Sequence, residues 1–215
     1  MKYNIILLLL IVGISSTATA QISFSDTIHA YNKARIITNA KGMGVLGSWG
    51  VLNMAAGGIG YFTAKQNEWK YFHEMNAIWG VANIGIAGLG YRHAKKEMAT
   101  KTDASKAWAN YKRDKKIYLI NMGLDVVYTG IGAGLVQLSK NDKTNPEMYR
   151  GFGKSLAIQG MFLLVFDNIM LASHNKYSYR WVRIIDELRF TGSGIGFNYT
   201  FPVHSIGKHA PHIKI

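Results

Sequence analysis

The chain has 215 residues, 48% apolar, 17% charged and 12% aromatic, with 23 glycines, three prolines and no cysteine. Lys plus Arg number 25 against 12 Asp plus Glu, a formal net charge of +13. A soluble domain averages about 25% charged residues, so this chain is charge-poor yet basic, and its charge must sit in short segments between long uncharged stretches. Zero cysteine excludes disulfide scaffolds, thiolate zinc sites, iron–sulfur clusters and cysteine nucleophiles. The apolar content excludes a disordered polyelectrolyte. Length allows one domain, or at most two small ones.

Lys2 is the only charge before Asp26, and an apolar run from Ile5 to Ile14 follows it. Ser15, Ser16 and Thr17 then lead to the small-residue triplet Ala18-Thr19-Ala20. A basic start, a short apolar run and an A-x-A site predict a signal peptide over 1–20, with Gln21 the first mature residue. The alternative is an uncleaved first spanning helix. Residues 21–41 form an amphipathic pre-helix segment.

Four near-uncharged stretches come next. Gly42 to Ala64 has 23 residues without a charge, and Tyr71 to Tyr91 is broken only by His73 and Glu74. Ile117 to Ser139 is again 23 residues, with Asp125 its only charge; Ser155 to Asn175 carries Asp167 and His174. Each is near the roughly 20 residues that cross about 30 Å of hydrocarbon. Spans are therefore expected at 42–64, 71–91, 117–139 and 155–175, a four-span domain over 42–175.

A soluble bundle is the competing reading, but a soluble helix shows a polar face at its 3.6-residue period. Val45 to Ile59 offers only Ser48 and Asn53, and Phe162 to Phe166 is apolar all round. Seven glycines in 42–64 would each cost about 1 kcal/mol in a water-exposed helix. In lipid such residues let helices approach closely, and Gly130-x-x-x-Gly134 and Ala56-x-x-x-Gly60 have that spacing. Tyr61, Trp69, Tyr71, Tyr91, Tyr118, Tyr177, Tyr179 and Trp181 fall near span ends, where amphipathic rings favour the headgroup region. Leu52-Asn53-Met54 resembles Ile120-Asn121-Met122, yet the neighbouring Gly-Ile-Gly pairs align at another offset, so no internal repeat follows.

The segment 176–215 changes character. Arg180 to Arg189 is expected as a short interfacial helix with Trp181, Ile184, Ile185 and Leu188 on one side. Phe190 to Val203 is glycine-broken and alternating, which predicts a short hairpin or an extended tail. The fold class expected is all-α, a transmembrane helical bundle with that tail.

Nine Lys/Arg lie in the 92–116 loop, six beyond residue 175 and three in 21–41, against two in 65–70 and four in 140–154. The positive-inside rule puts the first three segments in the cytoplasm. A cleaved signal puts Gln21 outside. The two rules give opposite orientations.

Gly42-x-Gly44-x-x-Gly47 matches a dinucleotide fingerprint as a string, but no strand precedes it, so helix packing explains it. His204, His209 and His212 lack a recognised metal-ligand spacing. No catalytic constellation stands out, and neither an enzyme activity, a cofactor nor a metal is expected. The candidate polar site is intramembrane: Asn53, Asn76, Asn83, Asn121, Asp125, Gln159 and Asp167. Asn121 and Asp125 share a face, as do Asn76 and Asn83; Gln159 and Asp167 lie about 80° apart. Charged groups in a bilayer face a partner or a cavity, so both aspartates should point inward. They read either as interhelical glue or as a proton or cation site. The partners expected are the lipid bilayer, anionic lipid at 92–116, and a second copy or another membrane protein, with no nucleic acid.

Phe72-His73-Glu74-Met75-Asn76 with Asn83-Ile84-Gly85-Ile86-Ala87-Gly88-Leu89-Gly90-Tyr91 resembles an uncharacterised family of small Bacteroidota membrane proteins, a domain of unknown function. Gly151-Phe152-Gly153 with Gln159-Gly160-Met161-Phe162-Leu163-Leu164-Val165-Phe166-Asp167 resembles its second block. The likeness spans roughly Lys33 to Lys176 and implies a multi-span helical membrane protein, with no activity to transfer. The expected role is a non-enzymatic structural or accessory component of the bacterial inner membrane. The alternative is a small transporter or a proton- or cation-coupled channel using Asp125 and Asp167.

Overall fold

The computed structural model describes the backbone of residues 2–186, 188–191 and 194–197 and the side chains of residues 29–176. The described residues form four helices, α1 (Lys2–Thr63), α2 (Asn67–Met98), α3 (Ala104–Leu138) and α4 (Pro146–Asp186), and two strands, β1 (Leu188–Thr191) and β2 (Gly194–Phe197). The helical part up to residue 177 and the segment 178–215 are two separate units. Within the second, β1 and β2 pair antiparallel with Phe190 opposite Ile195.

Local chemistry explains the breaks between helices. Asp103 caps α3 by accepting from the Lys106 amide at 2.7 Å. Asp142 accepts from the amides of Thr144 at 2.7 Å and Asn145 at 2.8 Å, and Pro146 then opens α4, where a missing N–H costs nothing. Glu68 in the first turn of α2 and Lys95 and Lys96 in its last suit the helix dipole.

The helices outrun the expected spans. α1 is continuous through residues 20 and 41, without a break at either proposed boundary. Most of the expected 92–116 loop is helix, since only 99–103 separate α2 from α3. Helix formation needs no apolar face, so the charged ends continue the helices that the uncharged middles begin. The expected separate helix at Arg180–Arg189 is instead the continuation of α4 as far as Asp186. The strands start and end earlier than the expected 190–203 stretch; residues 198–215, with His204, His209 and His212, lie outside the described residues.

Close packing comes from glycines. A Cβ on Gly80 would meet the Met54 amide and sit 2.7 Å from the Gly50 carbonyl oxygen, and one on Gly57 would lie 2.6 Å from the Ala77 amide. These join α1 to α2. Gly132 and Gly153 face each other's carbonyls, and a Cβ on Gly160 would lie 2.9 Å from the Asp125 carbonyl, joining α3 to α4. The expected Gly130-x-x-x-Gly134 pair faces open space, and Ala56 is exposed. Spacing shows that two glycines share a face but not which face meets a neighbour. Of the fingerprint glycines, Gly42 packs on Met170 and Gly47 on Ala87, while Gly44 is open; all three lie inside α1.

Gly80→Ala should therefore destabilise the fold by about 1–3 kcal/mol through overpacking. Gly130→Ala should be neutral or up to about 1 kcal/mol stabilising, since it adds helix propensity without a clash. Equilibrium unfolding in detergent checks both.

Among the described residues one small apolar cluster joins Leu46, Ala87, Tyr118, Phe166 and Met170, flanked by Met43, Phe162, Leu163 and Leu171, and Ile36, Ala94, Ala107 and Tyr111 are buried as well. Trp49 stacks on Phe162 with ring centroids 3.9 Å apart. Large apolar side chains instead face outward on every helix, among them Leu52, Phe62, Leu89, Val126 and Val165. Among the described residues, two helices are long and apolar enough to cross a membrane, Ala104–Leu138 and Pro146–Lys176. Of the most apolar window of each, 11% and 33% is buried, so both present mostly outward apolar surface.

Candidate functional site

The polar residues singled out in the sequence are brought inward but divide into two groups at different levels. The first joins α1, α2 and α4. Gln159 Nε2 donates to Asn53 Oδ1 at 2.7 Å and to Asn76 Oδ1 at 2.9 Å, while Trp49 Nε1 donates to Gln159 Oε1 at 2.9 Å. Ser155 adds a bond to Asn76 Oδ1, and the Asn53 amide donates to the Trp49 carbonyl. Both Gln159 and Ser155 are fully buried. With its bonds made, such a network fixes helix register.

The second group holds Asn83, Asn121, Asp125 and Asp167. Of the seven candidate polar residues, Asn53, Asn76 and Gln159 thus form one network, and Asn83, Asn121, Asp125 and Asp167, the residues expected to line a proton or cation site, lie along one cavity. The roughly 80° between Gln159 and Asp167 sends them toward different neighbours. Gly160 allows α4 to approach α3 at Asp125, and two turns later along α4 the Asp167 carboxyl meets that of Asp125 within hydrogen-bonding reach. Asn121 stands beside Asp167. Asp125 is 3% exposed and Asn83 1%, and Asp125 Oδ2 and Asn83 Nδ2 have no hydrogen-bond partner among the described residues.

All four residues line one cavity of about 520 Å³ between α2 and α3. Trp79 and Tyr128 also line it, edge to face at 5.3 Å across the two helices. Leu46, Leu89, Leu124 and Phe166 give apolar walls; His93 and Arg113 line its far end.

At that far end lies a charged network that sequence reading missed. Arg35, 1% exposed, bonds to Asp114 and, at 2.9 Å, to Glu97. Arg113 reaches the same two carboxylates, each at 3.2 Å. Burial works against the Arg113 charge, but Asp114 and Glu97 outweigh it and raise its pKa above the usual guanidinium value. Two cations and two anions leave the cluster neutral. Asn39 extends it, donating to Asp114 at 2.7 Å and accepting from Tyr118 at 3.1 Å. His174 Nε2 lies 2.8 Å from the same Asn39 oxygen, which leaves Nδ1 buried without a partner. Tyr118, expected as an interfacial anchor, is instead buried in this network and stacks on His174. Trp69 and Tyr91 are exposed as an interfacial role requires. At the opposite end Glu68 bonds to Lys154 at 2.6 Å and Arg150 at 3.3 Å.

The described residues hold no cluster of three or more metal-ligating side chains. What they define is a four-helix protein with polar groups inside, apolar side chains outside and a carboxyl pair in a cleft. Residues 45–168 match the model of a family of unknown function (DUF6992), and the chain belongs to that family. No curated protein and no solved structure matches it.

Proposed function

We propose that this is a non-enzymatic, multi-pass protein of the bacterial inner membrane, whose Asp125–Asp167 pair is the proton-binding site of a small transporter. Four spans are part of this reading, as is removal of residues 1–20 as a signal. The inverted distribution of side chains supports the membrane: Val81, Ile59, Val126 and Val165 are more than half exposed while Asn83, Gln159 and Asp167 are buried. Hydrocarbon covers such a surface; water does not tolerate so much of it.

The observation that carries the site is that both carboxyls line one cavity. Carboxyls that served only to hold neighbouring helices would each bond separately. Two like charges face to face in low dielectric repel, and a proton between them relieves this. The Gln159 network, whose bonds are made, supports an additional structural role for the other polar group.

Two measurements test this reading. The protein should stay in the membrane pellet after alkaline carbonate extraction; recovery in the soluble fraction contradicts the membrane. Infrared spectra at neutral pH should show a protonated-carboxyl band in the wild type that Asp125→Asn/Asp167→Asn lacks. A wild type without the band contradicts the proton site.

A further inference from the structure

The cleft is chemically lopsided. Its deep end has two carboxyls, the buried partnerless atoms Asp125 Oδ2 and Asn83 Nδ2, and the Trp79–Tyr128 pair. Its two basic groups, His93 and Arg113, lie at the other end. We propose that the cleft binds a lipophilic organic cation, of the quaternary ammonium or phosphonium class, with its charge at Asp125 and Asp167 and its apolar substituents along the α2–α3 walls. The proposal rests on the proton-site reading and names what displaces the proton.

Three properties select this ligand class. A volume of about 520 Å³ is that of a small-molecule pocket rather than an ion-sized site. Cations are drawn to the faces of Trp and Tyr, and Trp79 and Tyr128 stand beside the carboxyls. A bare inorganic cation needs oxygen ligands all round, which the Leu124, Leu163 and Phe166 walls do not supply. Asp125 is buried with one oxygen unpartnered among the described residues, so negative charge remains to face a cation that offers no hydrogen bond of its own.

Binding exchanges one positive charge for another. The O–H bond of the protonated carboxyl breaks, its proton passes to water, and the organic cation takes its place; no covalent bond forms. The charged groups around the pair leave this balance intact. On α3, Asp114 and Arg113 are already paired, and Tyr118 donates to Asn39. Arg35 on α1 is held by Asp114 and Glu97. His174 on α4 bonds to Asn39, and His93 on α2 lies against Glu97 at 3.5 Å. Tyr128 is the remaining titratable neighbour.

The test uses the full chain in neutral detergent micelles with tetraphenylphosphonium and tetraphenylborate, ions of the same shape and opposite charge. Phosphonium should bind saturably, quench tryptophan fluorescence and release a proton to unbuffered solvent, whereas borate should not bind. Asp125→Asn/Asp167→Asn should weaken phosphonium binding at least about tenfold. Trp79→Leu should weaken it several-fold while keeping the infrared carboxyl band, and it decides the matter if the double variant does not fold. Equal binding of both ions, or unchanged affinity in the variants, overturns the proposal. Absence of saturable phosphonium binding in a protein that retains the carboxyl band overturns this inference alone. Absence of the band as well overturns the proton site beneath it.

Discussion

Arg35→Met should lower stability by about 3 kcal/mol, the low end of the cost of removing one partner from a buried ion pair. The low end applies because Arg113 still reaches both Glu97 and Asp114 after the change. The loss remains large because Arg35 ties three helices: it stands on α1, Glu97 on α2 and Asp114 on α3. Methionine is an unbranched side chain of similar bulk, so most of the deficit reports the missing charge rather than a cavity. Adding Asp114→Asn to Arg35→Met should recover part of the loss, since the anion then no longer lacks its cation. Unfolding in mixed micelles measures both. An Arg35→Met protein as stable as wild type would show the network to be incidental.

Asp125 should separate shape from charge. Asp125→Asn preserves size and hydrogen bonding, so the protein should fold and accumulate normally. It should nevertheless shift the infrared band, because the proton on Asp167 then faces an amide instead of a second carboxyl. Asp125→Leu should in addition cost about 1–3 kcal/mol, as Asp167 keeps Asn121 but faces an apolar group. If the pair is helix glue alone, Asp125→Asn should resemble wild type in every assay and only Asp125→Leu should lose stability.

Much of the arrangement could be read from residue pattern. Long uncharged stretches marked the four helices, and the scarcity of polar residues on them marked which groups had to turn inward. Asn53, Asn76, Asn83, Asp125, Gln159 and Asp167 are all buried. The division into two sites follows from helix phase, which the Gln159–Asp167 angle already contained. Glycine seams were harder. Gly50, Gly80 and Gly132 pack while Gly130 and Gly134 face outward, and only the neighbouring helix decides between them.

The Arg35 network was not legible because Glu97 and Asp114 lay in what read as a basic loop. Their α2 and α3 turns are polar, so hydropathy carried no sign that the helices continued. Once they do, Glu97 and Asp114 are placed beside Arg35, and a surface charge cluster becomes an interior one.

Leu124 and Val126 allow the central claim to be tested with one pair of cysteines. They are 45% and 57% exposed and two residues apart on α3; Leu124 lines the cleft and Val126 does not. The chain has no native cysteine to interfere. In intact membranes, a charged water-soluble methanethiosulfonate should label Leu124→Cys and leave Val126→Cys unreacted, because lipid covers the outer face while water reaches the cleft. Labelling of both at similar rates would show a water-exposed protein, and labelling of neither would show a dry cleft; either result contradicts a membrane bundle with a water-accessible carboxyl site.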